Sequence, residues 1–83
     1  MKVGDVVIVT STGRDKITGK SYTYRWFGVV THERRGVVRA YSLSTTNSRQ
    51  IMAADAEVLP QDQWPDGVHA LRTAAILLGK IDI

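Results

Sequence analysis

The chain has 83 residues, no cysteine and a formal net charge of +3. That length is one domain with a small core, since a chain of this size buries only about 60% of its unfolded surface. The absent thiols exclude a disulfide staple and a thiolate metal site, and no apolar run approaches the roughly 18 residues of a membrane span. Charge is unevenly distributed: residues 1–52 hold nine basic groups against three acids, and residues 53–83 hold two against five. The basic part suggests a polyanionic partner, or else an acidic tail that folds back and neutralises it. No basic-then-apolar leader precedes the first strand pattern, so a soluble, cytoplasmic protein is expected.

The first strand centres on Val6-Val7-Ile8-Val9. Both of its alternating faces are apolar, so both need cover. A small barrel covers the inner face only. The outer Val6/Ile8 face then calls for the C-terminal segment or another subunit. Ser11 to Ser21 is polar and punctuated by Gly13 and Gly19, which reads as a loop or a twisted hairpin arm with Ile17 as its anchor.

Tyr22 to Thr31 and Val37 to Leu43 are rich in aromatic and β-branched residues. They flank Glu33-Arg34-Arg35-Gly36, where Gly36 supplies positive φ, and together they read as a β-hairpin. Either face of the first run can point inward, and Gly28 is the candidate for a twist or bulge. After a polar loop around Asn47 come a short strand at Arg49–Met52, a helical turn at Ala53-Ala54-Asp55, and a fifth strand at Ala56–Leu59 that Pro60 ends. Beyond Gln61 the period changes. Pro65 and Asp66 suit a helix start, and Val68, Leu71, Ala75 and Leu78 form its apolar stripe, widened by Ala70, Ala74 and Leu77. Arg72 falls on the opposite side, Gly79 is the stop, and Ile81-Asp82-Ile83 adds an extended end. The stripe serves either as the cover of the Val6/Ile8 face or as a dimer interface.

Five short strands, a polar loop after the first and a helical turn before the last resemble the SH3-like small β-barrels over residues 2–60. The echoes are V-G-D-V-V-I-V, W-F-G-V-V and A-A-D-A-E-V-L-P, the last similar to the ending of KOW barrels. The expected architecture is mainly β: a five-stranded SH3-like barrel (residues 1–60) with one C-terminal α-helix (within 61–83) packed on its outside. Arg49-Gln50-Ile51-Met52 also resembles the V-Q-I-Y strand of the plasmid-borne type II dihydrofolate reductases. That resemblance implies a pore-type oligomeric reductase using Gln50 and Ile51. Met52 replaces the tyrosine, and the family's lysine has no counterpart among Val7, Ile8 and Val9.

Catalytic spacing is absent: His32 and His69 lie on different elements, and the acids follow no motif. No cofactor or metal is expected. Arginine contacts phosphate and aromatic rings accept unpaired bases, so Arg25, Arg34, Arg35, Arg39 and Arg49 are candidate phosphate contacts. Tyr24, Trp26 and Tyr41 are candidate stacking residues. With Arg25 and Arg39 outward, one basic face would join Arg49, edged by Tyr24 or Tyr41. Outward strand positions also carry arginine simply to stay solvated and blunt an edge. The expected function is a non-enzymatic nucleic-acid-associated accessory protein. The competing one is a protein-interaction module that binds a partner subunit or self-associates.

Overall fold

The computed structural model describes residues 1–81. Five strands, β1 (Val6–Arg14), β2 (Ser21–Arg34), β3 (Val37–Ser42), β4 (Ser48–Met52) and β5 (Ala56–Val58), form one antiparallel sheet in the order β4-β3-β2-β1-β5. A helix, α1 (Asp66–Leu77), follows a 3-10 turn at Gln61–Gln63. The mainly β class with one C-terminal helix is as expected. No helix among the described residues is long and apolar enough to cross a membrane.

The sheet is open, which corrects the expectation of a closed barrel. Among the described residues β4 pairs only with β3, and β5 only with β1. The two edges are nevertheless joined by just Ala53–Asp55, in 3-10 form. In a flat sheet they would stand about 19 Å apart, four strand spacings, whereas three 3-10 residues advance only about 6 Å. The sheet therefore curls, and its concave side encloses Val7, Val9, Trp26, Val30, Val38 and Ala40. Three residues are too few for β5 to turn back alongside β4, so curling does not become closure.

The convex side carries a second core. Val6 (1% exposed), Val29, Tyr41 and Leu43 pack against Val68, Ala75 and Ile81, with Phe27, Leu59, Trp64 and Ile76 at the margin. The helix thus covers the face that the apolar first strand left in need of cover. Both faces of β2 are buried in its middle, which settles its orientation: Trp26, Gly28 and Val30 look into the concavity, and Phe27 and Val29 look to the helix.

α1 ends in a Schellman motif. Gly79 takes φ 72° and donates to the carbonyl of Ile76, and Lys80 donates to that of Ala75. This reversal turns Ile81 back into the convex core. Asp82 and Ile83, expected to extend the chain, lie outside the described residues.

The helix is rolled relative to the expected stripe. Val68, Arg72, Ala75 and Ile76 are the positions that lose exposure, while Leu71, Leu77 and Leu78 remain 49%, 82% and 73% exposed. Arg72 was expected on the solvent side. Its guanidinium instead donates to the Gly4 carbonyl at 3.3 Å and sits 5.5 Å from the centre of the Trp64 ring. Trp64 is fixed in turn by its indole N–H, which donates to the carbonyl of Leu59 at 2.9 Å.

The segment after β1 is a hairpin arm rather than an anchored loop. β1 and β2 stay paired as far as Arg14 and Ser21, beyond where β5 and β3 end. Asp15 closes its tip, accepting from the backbone N–H of Ile17 at 2.8 Å. Ile17 is 95% exposed and anchors nothing, because the arm projects past the core.

Candidate nucleic-acid interface

The basic residues of the β2–β3 hairpin are sorted by a bulge. β2 and β3 slip register between Val30 and His32, leaving Thr31 as the extra residue. Thr31 mends the gap: its hydroxyl donates to the Arg39 carbonyl at 3.1 Å, and His32 Nδ1 lies 3.1 Å from the Thr31 hydroxyl oxygen. The slip sets His32 opposite Arg39 and Arg34 opposite Val37, so that all four share the convex face. The expected bulge site, Gly28, keeps its register opposite Val7 and Ser42. Gly28 serves a packing need instead, because a Cβ there would stand 2.8 Å from Trp26 Cζ3.

The connecting turn places Arg35 and Gly36 at φ 55° and 79°. Two positive values in a two-residue connection define the type I′ turn that matches strand twist. Arg34, Arg35 and Arg39 then line one shallow depression with His32, Val37 and Gln50. A second depression on the other side of Arg39 is lined by Thr31, His32, Ser48, Gly79 and Lys80. No acid lines either one among the described residues.

Three of the five candidate arginines therefore meet, and two do not. Arg25 is exposed on β2 opposite Thr10, at the arm end of the strand. Arg49 is on the concave face, because it pairs with Ala40 while its neighbour Gln50 pairs with Arg39. Strand period two makes a single face holding Arg39 and Arg49 impossible, which corrects that expectation.

The candidate aromatics divide likewise. Tyr41 is 5% exposed inside the convex core, so its ring cannot take a base, a second correction. Trp26 is 7% exposed, and its indole N–H donates to Ser11 Oγ at 2.9 Å. Tyr24 is 36% exposed, and its hydroxyl accepts from Arg49 Nη1 at 3.0 Å. The Arg49 guanidinium also sits 5.6 Å from the centre of the Trp26 ring. These side chains belong to the concave side. There a cleft of about 490 Å³ between β1 and β4 is lined by Ser11, Tyr24, Arg49, Ile51 and Asp55, among others.

His32, Gln50 and Lys80 line the depressions beside Arg39, and no pattern in the sequence points to them. In the sequence Gln50 stands out only as part of Arg49-Gln50-Ile51-Met52, the run that resembles a reductase strand. Gln50 and Ile51 look to opposite faces of β4: Gln50 lies beside Arg39, and Ile51 packs under Val38. Of the four positions expected at a dimer interface, Val68 and Ala75 are taken up by the chain's own core, and Leu71 and Leu78 remain reachable. Among the described residues no group of three or more His, Asp or Glu is placed to hold a metal ion. Comparison of the chain with protein-family models, with curated proteins and with solved structures finds no match.

Proposed function

We propose that the chain is a nucleic-acid-associated accessory protein, with no catalysis of its own, that grips the phosphate backbone through the end of the β2–β3 hairpin. The observation that carries this reading is the pair of acid-free depressions flanking Arg39, with Arg34, Arg35, His32 and Lys80 around them. Phosphate oxygens accept the forked N–H groups of arginine, and each neutralised phosphate releases counterions. Arg25, at the far end of β2, adds to the overall field rather than to this patch. The strand order, the polar arm and the 3-10 turn before the last strand support reading the sheet as an open relative of the SH3-like barrels. A cytoplasmic setting goes with a nucleic-acid partner.

The test is anisotropy of labelled oligonucleotides across a salt series, with wild type and an Arg34→Ala/Arg35→Ala double variant. Binding should weaken linearly with log salt, by about 0.7–0.9 per phosphate contact. The double variant should lower that slope by close to two contacts. An absence of binding at low salt sinks the proposal.

A second reading has its own observation. Leu71, Leu77 and Leu78 stay exposed, and Leu71 and Leu78 border a depression of about 180 Å³ with Tyr41, Leu43 and Ala74. An apolar rim of this kind suits self-association or a partner subunit. Sedimentation across a concentration series tests that reading.

A further inference from the structure

We infer that the nucleic acid this chain takes is an unpaired strand, whose bases stack along the concave face of the β1–β2 arm while its phosphates cross the β4 edge onto the Arg39 patch. The inference rests on the phosphate-binding reading above and assigns the bases a place within it.

Three aromatic side chains stand in a row on one face of β2: Tyr22, Tyr24 and Trp26, each two residues from the next. Strand geometry spaces such neighbours about 6.6 Å apart along the chain. Trp26 is the buried root of the row, and Tyr24 and Tyr22 are 36% and 53% exposed. The Tyr22 and Tyr24 ring centres lie 6.0 Å apart, with the planes tilted by 38°.

Tyr22 rests on a built support. Its cross-strand partner is Gly13, and a Cβ at that position would stand between 2.6 and 2.9 Å from the end of the Tyr22 ring. Glycine therefore lets the ring lie across the arm. Tyr24 is steadied from the side by Arg49. Such rings take bases of any sequence, because every base has a π-face.

Charge divides the path. The cleft beside Tyr24 has one cation, Arg49, and one acid, Asp55, so it suits the hydrogen-bonding edge of a base better than a phosphate. The depressions around Arg39 hold cations only. Gln50 lines both the cleft and the first depression, and β4 is the sheet's edge strand, so the two surfaces are continuous over that edge. Arg14, Lys16 and Lys20 extend the positive field to the arm tip, where the Asp15 carboxylate is engaged by the backbone. A duplex keeps its bases stacked on one another and has none to offer these rings.

The experiment compares wild type with Tyr24→Ala, Tyr24→Phe, Gly13→Ala and Arg39→Ala. Each is measured by anisotropy on a labelled single-stranded oligonucleotide and on a duplex of the same length, after a thermal melt has confirmed folding. Tyr24→Ala should weaken single-strand binding about five- to 150-fold, the range for one lost base stack, and leave duplex binding unchanged. Tyr24→Phe keeps the ring and should stay within about threefold, so a large loss there overturns stacking as the cause. Gly13→Ala displaces the Tyr22 ring without removing an aromatic or a charge, and should weaken the single strand selectively. Arg39→Ala should weaken both forms. Salt-sensitive binding that ignores Tyr24 and Gly13, or that favours the duplex, overturns the inference and leaves the phosphate reading standing. No binding to either form overturns both.

Discussion

The guanidinium of Arg72 donates a hydrogen bond of 3.3 Å to the carbonyl oxygen of Gly4, 68 residues earlier in the chain. The same group lies over Trp64, so one side chain ties together α1, the segment that leads into it, and the N-terminus. Arg72→Ala should lower stability by roughly 2–4 kcal/mol, the combined scale of one charge-assisted hydrogen bond and one partly exposed cation–π contact. Arg72→Lys should recover only part, since an ammonium lacks the planar fork. Urea unfolding decides it. A change within about 0.5 kcal/mol would mean the clasp contributes no more than an ordinary surface residue.

Gly28→Ala probes the centre of the concave core. The new methyl would meet Trp26 Cζ3 at 2.8 Å, with the Tyr41 carbonyl and the Ala40 side chain each at 3.3 Å. The tryptophan is held by Ser11 on one side and Arg49 on the other, so it has little room to yield. Overpacking of this kind costs roughly 1–3 kcal/mol. Combining Gly28→Ala with Trp26→Leu should cost less than the sum of the two alone, and strict additivity in urea melts would count against the contact.

Thr31→Val tests the bulge that sorts the basic residues. Valine matches threonine in shape and β-propensity but leaves the Arg39 carbonyl without the hydroxyl donor. The site is exposed and water can replace the bond, so stability should fall by only about 0.5–1 kcal/mol. The informative readout is local. Amide exchange at His32 and Arg39 should quicken while that of Val7 and Val29 stays unchanged. Uniform protection throughout would show that the ladder keeps its slipped register without the threonine.

The parts of the fold legible in the sequence are those with a local cause. The β2–β3 hairpin follows from β-branched runs around a glycine turn, the 3-10 turn at Ala53–Asp55 from its composition, and the end of α1 from Gly79. The cover of Val6 by the helix followed from a strand apolar on both faces. What stayed illegible depends on partners distant in sequence. Nothing local marks Thr31 as a bulge, yet one extra residue decides which face His32 and Arg34 occupy. Leu71 and Leu78 fit a helical stripe better than Arg72 does, but Trp64 and the Gly4 carbonyl roll the helix toward the arginine. Tyr41 and Tyr24 look alike as aromatic strand residues. Only the register, with Tyr41 opposite Val29 and Tyr24 opposite Ser11, buries one and exposes the other. Closure failed as an expectation because the three-residue link Ala53–Asp55 is too short to turn β5 back alongside β4.

Arg35 connects stability to the proposed binding. It sits at φ 55° in a turn position that costs a non-glycine residue about 1 kcal/mol, and asparagine bears that conformation better than arginine. Arg35→Asn should therefore raise stability by about 0.5–1 kcal/mol, since it turns Arg-Gly into the Asn-Gly pair that type I′ turns favour. It also removes one cation from the depression beside Arg39, so the salt slope of oligonucleotide binding should fall by about 0.7–0.9. The two effects have opposite signs, and that opposition is the useful part. A variant that melts higher and binds more weakly cannot owe its lost affinity to unfolding. An equally stable variant with an unchanged slope would show that a side chain held in strained backbone at the hairpin tip contributes nothing to the partner. Arg35 would then be exposed for solubility alone, and the phosphate path would have to run through Arg39, His32 and Lys80 on the other side of the ridge.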